Sequence, residues 1–526
     1  MQKFFNTAGP VNQDEHYKLD PLSRFDLEEI EFLIAQKKYF IMHAPRQTGK
    51  TSCLLALREY LNSQDDYFAL YINVEAGQAY RNNIDAVQRV IIKEIEEQLK
   101  QSDIPLKNND IYEPESLYGF SYVRDFVANL CRMLSKPLVL MIDEIDALVG
   151  DSLISVLRQI RAGYTSRPES FPQSIILCGV RDVKDYRIHT SGQDIITGGS
   201  AFNIKARSLK LGNFTIEDIK NLYLEHTKET GQIFEEDCFP LVWEYTEGQP
   251  WLVNALGFEI TFEMKKNRDR SVHITPQMIK SAKENLIMRR ETHLDQLSDK
   301  LKEERVHNVI SYLLASSDQA VGGSNDDIEY VMDLGLITKE VGSNYRISNA
   351  IYKEVIPREL TWSTQGSITE DRLWYLNPDG RLNMEKLMQG FQNFFRKNSE
   401  SWIERFDYKA AGPQLLMQAY LQRIVNGGGF INREYGLGMM RTDLHVQFPY
   451  GDNQWQEEVI ELKIIHDSYE QTLAKGLTQT SAYIDKCGTA DGHLVIFNRD
   501  TDTSWDEKIT YNLHHFQGKD IHVWGM

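Results

Sequence analysis

Two stretches of the sequence carry residue types that can handle phosphate groups. In the first, "APRQTGKTS" lies between the apolar run "YFIMH" and the helical pattern "CLLALREYL". In such a loop, backbone N–H groups cradle phosphates, a lysine reaches the terminal ones and a hydroxyl binds Mg²⁺. The candidate phosphate-binding residues are Pro45, Arg46, Gln47, Thr48, Gly49, Lys50 and Thr51, with Thr51 also a candidate Mg²⁺ ligand. The motif GxxxxGK[ST] expects glycine where this chain has Ala44, which lowers its specificity.

The matching acidic residues follow the apolar run in "PLVLMIDEIDAL". Asp143 is expected to hold Mg²⁺ through water, and Glu144 to orient and deprotonate an attacking water. Taken singly, "GKT" can cap any helix and acids often end strands. Together, in this order and context, they predict a nucleotide-binding site with Mg²⁺.

The second stretch joins "MMRTDLHVQF" to "VIELKI" near the C-terminus. Glu461 and Lys463 are two residues apart, so on a strand they share one face. If Asp443 lies on the neighbouring strand, two carboxylates can hold Mg²⁺ against a phosphodiester while the lysine stabilises developing charge. The alternative is an exposed strand face on which Glu and Lys form an ion pair. The helix that follows carries Gln479 and Tyr483 on one face.

The elements that must position these residues fall into several segments. Four apolar runs, "KKYFIMHA", "YFALYINV", "PLVLMIDEI" and "SIILCGV", alternate with helical patterns and predict an α/β layer with a parallel sheet. Thr215 caps a helical stretch, and "LGLITKEVGSNYRISN" gives the two short strands of a winged helix. After the turn "NPDG", the chain returns to helix, an antiparallel meander and helix up to the C-terminus. The predicted domains are 1–215, 216–299 (helical lid), 300–360 (winged helix), 361–395 (linker) and 396–526.

Composition limits the classes of function. The net charge of −18 argues against non-specific adhesion to nucleic acid, although it leaves room for a local basic groove. The five cysteines are scattered without a CxxC pair, so neither a disulfide framework nor a zinc site is indicated. No apolar run approaches a membrane span and the first residues lack a signal-peptide core. We expect a soluble, cytoplasmic protein with no membrane partner.

Residues 10 to 360 resemble the AAA-like P-loop ATPases of the STAND and archaeal-ATPase kind. The resemblance implies a RecA-like core with Walker A and Walker B motifs, a helical lid and a winged helix. It implies that Gly248 and Pro250 of "TEGQPWLVNAL" close the site near the adenine. It also makes Arg181 of "ILCGVRDV" the candidate γ-phosphate sensor, against the alternative of an ordinary surface arginine. Such ATPases are often switches, and a homo-oligomer through the ATPase domain is a further expectation.

Residues 400 to 500 resemble the RecB-like branch of the PD-(D/E)xK nucleases, which have a restriction-endonuclease-like α/β fold. The resemblance implies metal ligands at Asp443 and Glu461, a catalytic lysine at Lys463, and orienting groups at Gln479 and Tyr483. Many members carry a glutamate in the first helix, where this chain offers Gln414 and Gln418.

Together these patterns predict an α/β multidomain enzyme, in which an ATPase controls a metal-dependent endonuclease acting on nucleic acid, with DNA favoured over RNA. Such fusions are associated with prokaryotic defence against phage and mobile elements. One alternative is a regulatory or scaffolding switch whose nuclease-like domain only binds nucleic acid or a partner. A DNA-translocating motor is disfavoured because the chain has a single RecA-like core and no helicase motifs.

Overall fold

The chain forms two compact units, which are described separately. The computed structural model describes residues 3–102, 121–182, 187–189, 195–289, 297, 299–315, 324–340, 344–360, 375–403, 417, 420–421, 430–437, 440–451, 454–465, 468–498, 500 and 502–526. Only the backbone is described at 187–189, 195–198, 200, 288, 311–312, 314–315, 357–360, 397–403, 430–437 and 440–443. The first unit comprises residues 1–291 and 329–337, and the second comprises 292–328 and 338–526.

The first unit is built on a parallel five-stranded sheet. Its strands are β1 (Tyr39–His43), β2 (Phe68–Asn73), β3 (Leu138–Asp143), β4 (Ser174–Gly179) and β7 (Lys205–Lys210). A separate hairpin comprises β5 (Arg187–His189) and β6 (Ile195–Thr197). The order β2-β3-β4-β1-β7 brings the carboxyl ends of β1 and β3 to one edge of the sheet. The predicted α/β layer with a parallel sheet is confirmed.

Helices cover both faces of this sheet. They are α1 (Leu27–Ala35), α2 (Lys50–Ser63), α3 (Ile84–Gln101), α4 (Tyr122–Met133) and α5 (Gly150–Gly163). The apolar stripes of α1 and α2 pack on one face, with Leu54 and Leu57 fully buried. Those of α3, α4 and α5 pack on the other face, where alternate strand residues such as Ile41 and Ile72 point. Burial on both faces explains why β1 to β4 are continuous apolar runs.

A helical subdomain follows the sheet. Its helices are α7 (Ile216–Thr230), α8 (Cys238–Thr246), α9 (Pro250–Phe258) and α10 (Pro276–Arg289), whereas the short helix α6 (Gly198–Ala201) precedes β7. Thr215 caps α7 in a reciprocal capping box with Asp218, as its position before the apolar period predicts. We call α7 to α10 the lid.

The N-terminal segment 3–20, which we call the strap, ties the lid to α2. Phe5 is fully buried beside Tyr17 and Tyr223, with ring centroids 5.0 and 5.1 Å away. Trp251 Nε1 of the lid donates to Thr7 O at 2.8 Å. At the other end, the strap's Val11 N–H donates to Ser52 Oγ of α2 at 3.0 Å. The strap is therefore a structural part of the first unit.

Phe5→Ala is expected to lower the free energy of unfolding of the first unit by about 3 to 5 kcal/mol, because it removes a fully buried ring and leaves a cavity. The matched control is Phe32→Ala, the same chemical change at a side chain that is 60% exposed, which should stay within about 0.5 kcal/mol. Urea unfolding of both variants measures the difference. Equal effects would show that the strap contributes no packing energy.

Residues 304–360 contain α11 (Glu304–Ala315), α12 (Asn325–Asp333), β8 (Ile337–Lys339), β9 (Tyr345–Ile347) and α13 (Ala350–Leu360). The strands β8 and β9 form a two-stranded sheet. Two helices followed by two short strands are the element order that the sequence predicts for a winged helix, and α13 is an additional helix that was not predicted. The end of α12 and the start of β8, residues 329–337, belong to the first compact unit, so the division crosses the predicted domain.

The second unit contains a mixed six-stranded sheet in the order β10-β11-β12-β13-β15-β14. Its strands are β10 (Phe430–Leu437), β11 (Met440–Tyr450), β12 (Gln454–Ile464), β13 (Asp491–Phe497), β14 (Thr510–Phe516) and β15 (Lys519–Gly525). Its helices are α14 (Met384–Ile403), α15 (Tyr469–Cys487) and α16 (Trp505–Lys508). The predicted meander is present as the antiparallel β10-β11-β12, and β13 runs parallel to β12.

The end of the chain differs from the predicted helix. It is the hairpin β14-β15, which turns at Gln517 and Gly518, both with positive φ. Within the described segments, every helix is too short or too polar to cross a bilayer.

Candidate nucleotide and nuclease sites

The phosphate-binding loop joins the end of β1 to the start of α2. Gly49, with φ of +88°, precedes the first residue of α2, and Gln47 also has a left-handed backbone at φ of +57°. Lys50 is buried, and its Nζ donates to the carbonyl oxygens of Ala44 and Pro45, both at 3.0 Å. The lysine ammonium therefore lies over the loop that would hold the phosphates.

The departure from the motif at Ala44 is accommodated in the core. Ala44 is fully buried in a cluster with Cys53 and Leu211, and its N–H donates to Gly179 O at 3.3 Å. The left-handed residues of the loop are Gln47 and Gly49, so Ala44 is not where the chain turns.

Two other loop residues have internal or solvent contacts. Thr48 Oγ1 donates to Pro45 O at 2.7 Å, and Thr48 O accepts from Arg24 Nη1 at 3.2 Å. Arg46 is exposed beside the loop. Pro45 to Gly49 thus form the loop at the edge of the sheet, and the predicted residues Lys50 and Thr51 begin α2.

Thr51 and Asp143 meet directly, although they are far apart in the chain. Thr51 Oγ1 donates to Asp143 Oδ2 at 2.7 Å, and Asp143 is fully buried at the end of β3. Tyr71 of β2 donates to the same oxygen at 3.0 Å. A hydroxyl and a carboxylate are oxygen ligands of the kind that Mg²⁺ prefers, so this pair fits the metal. Sequence analysis missed Tyr71, because its position beside Asp143 follows from the register of β2 on β3.

Glu144 follows Asp143 in a left-handed conformation, with φ of +54°. Its N–H donates to Asp143 Oδ1 at 2.9 Å. Burial and the nearby Asp146 carboxylate raise the pKa of Glu144, while the Lys50 ammonium opposes this shift. A raised pKa brings a carboxylate closer to what a general base needs at neutral pH.

Arg181 lies after β4 at the same edge of the sheet. It is 6% exposed, its Nε donates to Asp333 Oδ2 at 2.8 Å, and its guanidinium lies 5.0 Å from the ring of Tyr330. Its Nη2 is buried and makes no hydrogen bond within the described residues. Burial of this kind is not the environment of an ordinary surface arginine. Asp333 and Tyr330 were not predicted from the sequence.

Asp333→Ala is expected to raise the affinity for ATP relative to ADP by about tenfold. Removing the carboxylate leaves the buried Arg181 cation without its partner, and the γ-phosphate is the anion that can replace it. The ratio of ATP to ADP dissociation constants, measured by calorimetry, tests this. Glu329→Ala, an exposed acid on the same helix, is the control and should leave the ratio unchanged. An unchanged ratio in Asp333→Ala would contradict the sensor role of Arg181.

A cavity lies beside the phosphate-binding loop. It is lined by parts of the strap, by the start of α2 and by the lid residues Pro250, Trp251 and Asn254. Gly248 is required at the turn before α9, since its φ is +71° and a Cβ would lie 1.8 Å from Phe214 O. The Gly-x-Pro element therefore shapes one wall of this cavity.

Glu461 and Lys463 share one face of β12, as their spacing predicts. Glu461 is 2% exposed, and Lys463 Nζ lies 2.5 Å from Glu461 Oε1. Leu444 of β11 pairs with Ile460, so Asp443 and Glu461 are the next residues on the two strands. The side chain of Asp443 lies outside the described part of the structure, as do Gln414 and Gln418.

The helix α15 covers the same face of the sheet. Glu461 pairs with Leu494, and Leu494 packs against Leu477 and Ile484 of α15. On this helix Tyr483 is buried, at 4% exposure, whereas Gln479 is exposed. The two predicted orienting residues therefore occupy different environments.

The opposite face of β12 carries a second buried acid. Glu458 is 8% exposed, and its Oε2 lies 3.7 Å from His493 Nε2. Among the described residues, no group of three or more His, Cys, Asp or Glu side chains is arranged to hold a metal ion.

The first unit combines a parallel α/β sheet with a phosphate-binding loop and an acidic pair at one sheet edge, which defines a P-loop ATPase domain. The chain belongs to the AAA-like domain family, whose family model matches residues 32–356. No curated protein matches the chain significantly.

Several solved structures are similar in part. A Walker-type ATPase of Pyrococcus abyssi has 15% identity and a TM-score of 0.47, over 67% of this chain and 99% of that one. Orc1 of Aeropyrum pernix, solved in complex with DNA, has 12% identity and a TM-score of 0.36, over 66% of this chain and 94% of that one. RuvB of Thermotoga maritima has 12% identity and a TM-score of 0.34, over 63% of this chain and 95% of that one.

Proposed function

We propose that the protein is an ATP-binding and ATP-hydrolysing switch that controls a metal-dependent DNA endonuclease in its C-terminal domain. The observation that carries the ATPase half is the 2.7 Å contact between Thr51 Oγ1 and Asp143 Oδ2 beside the buried Lys50. Thr51 and Asp143 would hold Mg²⁺, and the loop with Lys50 would bind the phosphates of ATP. The bound metal would neutralise phosphate charge, and Glu144 would take the proton of the attacking water.

The nuclease half rests on the paired charges of β12. Burying charged groups costs free energy that a structural role seldom requires, and Glu461 is almost completely buried. With Asp443 as the next position on β11, Glu461 would ligate the metal and Lys463 would stabilise charge that develops on the phosphodiester. Tyr483 and Gln479 of α15 would orient the lysine and the substrate. ATP binding, or assembly of several copies through the ATPase domain, would control access of DNA to this site.

The experiment is cleavage of plasmid and linear DNA by the full-length protein with Mg²⁺ or Mn²⁺, with and without ATP. Asp443→Ala and Lys50→Ala are prepared in the same way. We expect the wild type to cut DNA and Asp443→Ala to cut none. We expect cutting by Lys50→Ala to be insensitive to ATP. Cutting that is unchanged in Lys50→Ala at every ATP concentration would refute control by the ATPase.

A second candidate function is a regulatory switch whose C-terminal domain binds nucleic acid or a partner without cutting. The observation in its favour is that Lys463 already pairs with Glu461, so the two charges neutralise each other within the chain. Calorimetry of Mn²⁺ binding to the full-length protein separates the two functions, with Asp143→Ala used as the background because it removes a proposed metal ligand of the ATPase site. Mn²⁺ binding that Asp443→Ala removes supports the nuclease. No Mn²⁺ binding to the C-terminal domain supports the regulatory switch.

A further inference from the structure

Two residues that line the cavity beside the phosphate-binding loop each carry a buried amide oxygen that lacks a hydrogen-bond donor within the described residues. These oxygens are Gln47 Oε1 and Asn254 Oδ1. A buried acceptor without a donor costs free energy, and each such group in a native protein calls for an explanation. A ligand that brings hydrogen-bond donors into the cavity would explain both unsatisfied oxygens.

The two oxygens belong to different parts of the site. Gln47 lies in the loop, three residues before Lys50, on the side where the phosphates are expected. Asn254 lies in α9, one turn after Pro250, on the lid side of the cavity. Because phosphates and ribose are common to all nucleotides, only the group farther from the loop is suited to distinguish one base from another.

The orientation of the Asn254 amide is fixed by the lid itself. Asn254 Nδ2 donates to Pro250 O at 2.9 Å. Rotating the amide by half a turn would set its oxygen against that carbonyl oxygen, which is repulsive. Oδ1 is therefore held as an acceptor.

We propose that Asn254 Oδ1 accepts a hydrogen bond from the exocyclic amine of the nucleobase and so selects adenine over guanine. Adenine carries an amino group at C6, where guanine carries a carbonyl oxygen. Two acceptors that face each other repel, so guanine in the same position loses the hydrogen bond and leaves Oδ1 unsatisfied. This inference rests on the proposed nucleotide-binding function and adds the residue that determines its base specificity.

The test is calorimetric binding of ATP and GTP, each with Mg²⁺, to the full-length wild type and to three variants. The wild type should prefer ATP by at least about tenfold. Asn254→Leu, which has a similar size but no acceptor, should reduce the preference to within about threefold. Asn254→Asp keeps an acceptor oxygen and loses the Pro250 bond, so both nucleotides should bind more weakly while ATP stays preferred. Gln47→Leu, the matched amide on the loop side, should weaken ATP and GTP by the same factor.

The outcomes separate this inference from the proposed function. Three results would overturn the role of Oδ1. The wild type could bind ATP and GTP equally, Asn254→Leu could keep the preference for ATP, or Asn254→Asp could lose that preference. A wild type that binds neither nucleotide would instead refute nucleotide binding itself. Lys50→Ala should lose both nucleotides together, which identifies the measured signal as binding at the loop.

Discussion

Glu144→Gln is expected to lower the ATP hydrolysis rate by about 10³-fold while ATP binding persists. Glutamine keeps the size of the side chain and its place after Asp143, but it cannot take the proton of the attacking water. General-base catalysis of this kind contributes roughly 10²- to 10⁴-fold. Steady-state phosphate release gives the rate, and calorimetry with ATP gives the affinity. A variant with nearly normal turnover would remove Glu144 from the role of base.

The pH dependence of hydrolysis tests the same assignment. Glu144 acts as a base only when ionised, so the rate should fall as pH drops through its pKa, which burial and the Asp146 carboxylate hold above the ordinary value. Asp146→Asn removes the second largest cause of that shift. It should therefore move the acid limb of the rate profile to lower pH, with a smaller change in the plateau than Glu144→Gln causes. An acid limb that does not move would indicate that another group limits the rate.

The parts of the first unit that the sequence predicts are those encoded locally. The strands β1 to β4 are recognisable because each is buried on both faces and therefore continuously apolar. The fifth strand, β7, reads "KARSLK" and lies at the edge of the sheet with half-exposed residues, so it carries no such signal. The strap has no periodicity, and its place is set by contacts of single side chains such as Phe5 with the lid.

The same distinction explains which site residues were predicted. The loop residues form one contiguous motif, and Asp143 ends a continuously apolar strand, so each carries a signal in its local sequence. Tyr71 and Asp333 reach the site from strands and helices far along the chain, and nothing in their local sequence marks them. The hairpin β14-β15 was the avoidable omission, because Gln517-Gly518 between two apolar-containing runs is a two-residue turn that favours positive φ.

Glu461→Gln is expected to lower metal-dependent DNA cleavage by at least about 10²-fold. Replacing a residue that only hydrogen-bonds to a metal ligand lowers metal affinity or activity by roughly 10- to 100-fold, and the loss of a ligand itself should cost at least as much. Glutamine removes the charge that would hold the metal and leaves Lys463 without its ionic partner. The chain offers a matched control in Glu458→Gln on the same strand. Glu458 is also buried, but it faces His493 on the opposite side of the sheet, so its loss should cost stability without removing cleavage.

The two variants together distinguish chemistry from folding. Each replaces a buried carboxylate of β12 with an amide, so a purely structural effect should appear in both, as a similar loss in the free energy of unfolding. A catalytic role of Glu461 predicts that only its variant loses cleavage at a temperature where both remain folded. Equal cleavage by the two variants would indicate that Glu461 and Lys463 are a structural ion pair. It would favour the second candidate function, in which the C-terminal domain binds nucleic acid or a partner without cutting. The spacing that places Glu461 and Lys463 on one face is common to both outcomes, so only the measurement of cleavage decides between them.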